Sequence, residues 1–272
     1  MECRFSEKIM RHKAMERDQT PKYSTWIRAR KIVLFWSLGA GTIALGLGLG
    51  SLWRPALLIC LCSAPFLYIA AVISLAAWRF SSKGGDYQNR IHAILIDALA
   101  QASEVLDIGC GGGNLIIKIA KTMPGRHLGL DYWGKDWEYS RAQCERNAAL
   151  EVGTGVIEFV QGSASSLPFA DRSRANVVSC LTFHEVADAA DRTLPLTEAL
   201  RVLAPGGSFL FLDLFDDRRH FGGFDRVTAV IEAAGGRIES ISRLREILPL
   251  PYPLDTRNAL RSAVIIRGSK RR

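Results

Sequence analysis

The stretch Glu104-Val-Leu-Asp-Ile-Gly-Cys-Gly-Gly-Gly113 reads as an apolar strand that ends in a glycine turn, with a helix opening at Asn114. Glycine lacks a Cβ, so the backbone can turn sharply and pass close to a ligand at the start of the following helix. Twenty residues beyond Gly111, Asp131 closes the next apolar run, Leu128-Gly-Leu-Asp-Tyr-Trp133, where a carboxylate can accept from both hydroxyls of a ribose. A nucleoside-bearing ligand is the economical reading. A dinucleotide pattern would want a third glycine where Asn114 stands, and it lacks an acid such as Asp107 inside the strand. That acid suits a ligand carrying an ammonium and a sulfonium rather than a pyrophosphate. Taken alone, the stretch is also compatible with a plain strand-to-helix turn.

Outward from this turn, β-branched runs alternate with helical patterns: strand 104–110, helix 114–122, strand 127–131, helix 134–150, strands 157–162 and 175–182, helix 193–203 and strand 208–214. Such alternation predicts a parallel sheet covered by helices, an α/β doubly wound, Rossmann-like fold. Towards the C-terminus a helix near 224–234 precedes strand-like segments 237–243 and 262–268 with no helix-length crossover between them. An antiparallel terminal pair follows, giving a mostly parallel seven-stranded sheet with an antiparallel last strand.

N-terminal to the domain, residues 32–78 carry one charged side chain, Arg54. The segments 32–52 and 56–78 are each long enough to cross a hydrocarbon core of about 30 Å. With Trp53, Arg54 and Pro55 between them, they should form an antiparallel transmembrane hairpin over 32–80, followed by the domain at 81–272. Ala40, Ala44 and Gly48, and the pair Gly46 and Gly50, recur at every fourth position and would let the two backbones approach closely. Residues 1–31 carry nine Lys or Arg against four acids, and residues 261–272 carry five against none, although the whole chain is only +8. Basic flanks predict a multi-pass membrane protein with its N-terminal segment and its domain in the cytoplasm. Residues 79–260 are net acidic, which argues against nucleic acid as a partner. The six cysteines show no metal-site or disulfide spacing outside the pair Cys60 and Cys62, and reduced thiols are expected.

The ordered motifs VLDIGCGGG (105–113), GLDYW (129–133), VQGSASSLPFAD (160–171), ANVVSCLTFHEV (175–186) and ALRVLAPGGSFLFLD (199–213) resemble class I S-adenosylmethionine-dependent methyltransferases, in particular the ubiquinone, menaquinone and sterol branch. The resemblance covers roughly residues 86–215. It implies that Asp107, Gly109, Cys110, Gly111 and Gly113 hold the methionine part of S-adenosyl-L-methionine, that Asp131 holds the ribose, and that Tyr132 and Trp133 border the adenine. The family often places an acid against the adenine amine where Ser163 stands, so Ser163 and the backbone at Ala164 would substitute. By the same resemblance, residues 181–184 edge the methyl-transfer pocket. His184 is then the candidate catalytic base, with a structural histidine fixed by Glu185 or a carbonyl as the competing reading. Pro205, Gly206 and Gly207 read as an architectural turn, and Arg201 as a solvated helix residue. No metal is required.

The function that follows is methyl transfer to a small, hydrophobic or lipid-like acceptor reached from the bilayer. The alternatives are a non-catalytic cofactor-binding or membrane-tethered interaction module, and a protein methyltransferase.

Overall fold

In the computed structural model of the protein, residues 20–99, 102–135 and 137–272 are described. The basic N-terminal segment expected over 1–31 therefore falls largely outside the described residues, as does Cys3. The chain divides into two compact units. One holds Leu95–Leu244 and Ser262–Arg272 with the stretch up to Tyr23; the other holds Ser24–Ile94 and Arg245–Arg261.

The first unit is the α/β domain. Its strands are β1 (Glu104–Ile108), β2 (Arg126–Asp131), β3 (Ile157–Gln161), β4 (Arg174–Cys180), β5 (Leu203–Asp213), β6 (Gly236–Arg243) and β7 (Val264–Lys270), in the sheet order β3-β2-β1-β4-β5-β7-β6. β7 enters antiparallel between β5 and β6, and the other pairings are parallel, as the sequence predicts. The strand runs are apolar on both faces: Val105, Leu106, Ile108, Val177, Val178 and Leu210 are buried, because helices cover both sides of a parallel sheet. The helices that cover it are α4 (Asn114–Thr122), α5 (Arg141–Glu151), α6 (Leu194–Val202) and α8 (Phe224–Ala233), with a single turn α7 (Arg218–Phe221) before the last.

Two boundaries differ from expectation. The helix expected over 134–150 begins at Arg141, because Trp133 takes a positive φ of 44° and Ser140 caps the helix by accepting from Gln143 N. In the stretch before that cap, Trp137 and Tyr139 stack at 5.6 Å. The strand expected to reach residue 182 stops at Cys180, since Leu181 also has a positive φ of 54°.

The second unit contains a helical hairpin. α1 (Ala29–Gly50) runs to a turn at residues 51–53, and Arg54–Phe80 returns, its first ten residues as a 3₁₀ helix (Arg54–Ser63) and the rest as α2 (Ala64–Phe80). The turn therefore precedes Arg54 and Pro55, which stand in the first helical turn, where proline's missing N–H costs nothing. Both helices are long and apolar enough to cross a membrane. Large side chains of both face outward: Leu61 is 71%, Leu58 66% and Val33 63% exposed.

The close-packing stripe contains the expected pair Gly46 and Gly50 but not Ala40, Ala44 and Gly48, which are exposed. A Cβ on Gly39 would meet Leu67 Cδ2 at 2.4 Å, on Gly46 Cys60 Sγ at 2.6 Å and on Gly50 Leu57 Cδ2 at 2.5 Å, whereas at Gly48 nothing lies within 4 Å. Gly39, Gly46 and Gly50 form the contact face, because spacings of seven and four stay on one side of a helix. α3 (Tyr87–Ala98) follows the polar linker after the hairpin.

Candidate active site

In a sheet of this order the chain reverses direction between β1 and β4, and ligands bind outside the carboxyl ends of strands at such a point. Both sets of residues singled out in the sequence come to this edge. The glycine turn after β1 has positive φ at Gly109 (81°), Gly111 (56°) and Gly113 (82°). At Gly109 the demand is steric as well as conformational, since a Cβ would lie 2.0 Å from Thr182 Oγ1. Gly109 N and Cys110 N donate to Leu130 O, tying the turn to β2.

Asp107 is buried in β1 with Oδ2 lacking a hydrogen-bond partner. Burial, then the neighbouring Asp131 charge, pushes its carboxyl up to about 8, against a donor at Ile116 N. A buried acid in this state gains most from a cation. Asp131 is raised by burial, offset by backbone N–H donors. Its Oδ2 accepts from Gly111 N at 2.9 Å and its Oδ1 from Trp133 N at 2.8 Å. Each oxygen keeps a further lone pair, so these bonds orient the carboxylate without exhausting it.

The Trp133 indole donates to Gly111 O at 2.9 Å and meets Phe159 edge-on, while Tyr139 lies 3.5 Å from where a Gly111 Cβ would stand. Tyr132 stays exposed. Beneath the turn, Asn147 Nδ2 donates to Gly112 O at 3.0 Å and to Lys22 O at 2.8 Å, and Asn147 Oδ1 accepts from Lys22 N at 2.8 Å. The Tyr23 hydroxyl donates to Glu151, so residues 22–23 form a strap along α5.

Ser163 lacks the acid of the family pattern in sequence but not in space. Its hydroxyl donates to Asp188 Oδ2 at 2.6 Å, beside the buried Ala164. Arg201, expected to be solvated, instead donates to Leu167 O, Phe169 O, Asp171 and Glu198, fastening the loop that follows Ser166. Glu198 is three residues away on the same helix, but Leu167, Phe169 and Asp171 lie 30 to 34 residues away, so helical position could not disclose them.

Beyond β4, Phe183–Glu185 forms a 3₁₀ turn. His184 is held by Asp213, the last residue of β5: Nδ1 lies 2.6 Å from Asp213 Oδ1, whereas Glu185 Oε1 is 3.8 Å from Nε2. Asp213 is fully buried and also accepts from Phe183 N and Leu214 N, both at 2.7 Å. Burial alone would lower the imidazole pKa; the Asp213 charge and hydrogen bond outweigh it, and the net shift is upward. Arg192 donates to His184 O at 3.0 Å and Val186 O, fixing the turn. His220 stacks edge-on at 5.5 Å, its own pKa lowered by burial and by the charge on His184. Asp213 escaped sequence reading, although an acid closing the apolar run Phe209-Leu-Phe-Leu-Asp213 is the same signal that marked Asp131 at the end of β2.

Among the described residues no cluster of His, Cys, Asp and Glu could hold a metal ion. Cys110, Cys144 and Cys180 are free and buried, and burial pushes the Cys110 and Cys180 thiols well up.

Residues 106–211 match the family model of the methyltransferase domain. Among curated proteins, the chain is 34% identical over 123 residues to the fatty-acid O-methyltransferase of Mycolicibacterium smegmatis, covering 45% of this chain and 41% of that one. It is 36% identical over 114 residues to a ubiquinone/menaquinone biosynthesis C-methyltransferase of Hahella chejuensis, covering 41% and 43%. The chain thus spans less than half the length of these relatives. Among solved structures, geranyl diphosphate C-methyltransferase of Streptomyces coelicolor superposes with a TM-score of 0.53 at 15% identity, covering 70% of this chain and 80% of that one. A Haloferax volcanii putative methyltransferase, solved with its Trm112 activator, gives 0.51 at 21% identity, covering 73% and 98%. These likenesses show the fold.

Sheet order and glycine turn thus coincide with the stretch, residues 106–211, that is similar to the methyltransferase domain. S-adenosylmethionine is the cofactor, and the residues fit it: the buried Asp107 Oδ2, which has no partner, suits the cationic methionine part, and the glycine turn admits close approach.

Proposed function

We propose that the protein is a membrane-anchored methyltransferase that acts on a small, apolar or lipid-like acceptor, with its α/β domain in the cytoplasm. The observation that carries the catalytic reading is the His184–Asp213 pair at the same sheet edge as the unpartnered Asp107. Asp107 and the turn from Gly109 to Gly113, with Cys110 and Gly111, would hold the methionine part of the cofactor, Asp131 the ribose, and Tyr132, Trp133, Ser163 and Ala164 the adenine. The bound cofactor supplies an electrophilic methyl group on a sulfonium.

The chain's contribution is alignment, water exclusion and proton handling. Asp213 orients the imidazole through Nδ1 and favours its protonated form, so His184 takes a proton from an acceptor hydroxyl or enolizable carbon at Nε2 more readily than a free imidazole. The neutral imidazole is the competent base, so turnover rises with pH through its upward-shifted pKa. An apolar acceptor is supported by the exposed apolar hairpin and by relatives named for fatty-acid and quinone substrates.

The test incubates the full-length protein with methyl-labelled S-adenosylmethionine and membrane extract, and identifies the labelled molecule. Label in an organic-soluble compound is expected; label in protein, or none, overturns the reading. His184→Ala should retain near-normal cofactor affinity and lose roughly 10²–10⁴ in turnover. The anchor is tested separately: the protein should stay with membranes in alkaline carbonate and leave them only with detergent.

A further inference from the structure

Between α9 (Leu244–Ile247) and β7 the chain runs Leu248-Pro-Leu-Pro-Tyr-Pro-Leu254, seven residues without a charge and with proline at every second position. Proline has no N–H, so three of the donors that a loop would have to satisfy are missing from Pro249, Pro251 and Pro253. Leu254 N is satisfied within the loop by Pro251 O at 2.7 Å. A loop of this make-up has less to lose in hydrocarbon than an ordinary one, because each unsatisfied backbone group there costs several kcal/mol.

The loop belongs to the same compact unit as the hairpin. Its Tyr252 hydroxyl lies 3.2 Å from the Tyr68 hydroxyl on α2. Tyr68 precedes Trp78, near the end of the apolar span, by ten residues, which is about 15 Å of helix. The loop therefore runs alongside the span, well inside its apolar length. Leu248 and Leu254 are buried and anchor it at both ends, while Tyr252 and Ile247 remain exposed. Charges resume outside it at Arg245 and Glu246 on one side, and at Asp255 and Arg261, which pair with each other, on the other. In water an exposed pair of phenols contributes little. In lipid each hydroxyl would otherwise be unpaired, and the contact gives one phenol an acceptor and the other a donor.

We propose that Leu248–Leu254 inserts into the lipid bilayer beside the second hairpin helix, as a further membrane contact outside the hairpin. The inference rests on the membrane-anchored reading above. The surface it offers is apolar with a paired phenol at its tip, and the partner it fits is the hydrocarbon and glycerol region of a bilayer rather than a protein.

The experiment reconstitutes the full-length protein in phosphatidylcholine vesicles and photolyses an uncharged diazirine that partitions into hydrocarbon. Carbene adducts are then mapped by peptide. The expected result is labelling in peptides from both hairpin helices and in the 248–254 peptide at a comparable level, with none above background in the β3 and β4 peptides. Labelled hairpin peptides with an unlabelled 248–254 peptide overturn the loop proposal and leave the membrane reading standing. No labelling of hairpin or loop overturns both.

Discussion

At the residue scale, Asp107 makes the sharpest claim. Its carboxyl is held up to about 8 in the folded domain, by burial and by Asp131, against about 4 for an unfolded aspartate. Between those limits the folded chain holds a proton that the unfolded chain has lost. Stability is therefore fullest below pH 4 with respect to this group and is lost as pH rises towards 8. Binding a cation reverses the preference, since it favours the carboxylate, so cofactor binding releases a proton below pH 8 and tightens as pH rises from 6 to 8. Calorimetry in buffers of different ionisation heat reads that proton directly. Asp107→Asn should abolish the release, weaken binding by about 1–3 kcal/mol and raise thermal stability at pH 8. Unaltered proton release in the variant would assign it to another group. Asp107 and His184 could be singled out in the sequence because they stand in ordered motifs, the one inside an apolar strand and the other just beyond one. Asp213 and Asp188 were not, since their roles arise from pairing across 29 and 25 residues.

At the scale of elements, the strands, their order of appearance and the antiparallel terminal pair could be read from the alternation of apolar runs. The start of α5 could not, because it depends on the positive φ of Trp133 and on indole and carboxylate contacts back to Gly111. The hairpin shows the same division. Its length and apolar character are properties of composition, but which glycines face the partner helix depends on rotation about the axis, and the 3₁₀ stretch at Arg54–Ser63 sets that rotation for the second helix. Gly46→Leu should accordingly disrupt the hairpin, its first side-chain carbon colliding with Cys60 backbone and Sγ, whereas Gly48→Leu, pointing into open space, should be tolerated. Thermal unfolding of the two variants in detergent compares them, and equal stability would refute the packing face.

At the scale of the whole molecule, one small contact has a large reach. The Asn147 amide divides its two hydrogens between Gly112 O in the glycine turn and Lys22 O in the strap, two residues before the chain enters the unit that bears the hairpin. Two handles thus act on one side chain, and any factor by which a filled turn steadies the strap is the factor by which a steadied strap tightens the turn. Asn147→Ala should weaken cofactor binding and speed hydrogen exchange at residues 22–23 together; movement of one without the other would break the link. Filled turn and fastened strap thus form one linked pair inside the α/β unit, so that occupancy of the first can be read as protection of the second without any change of fold.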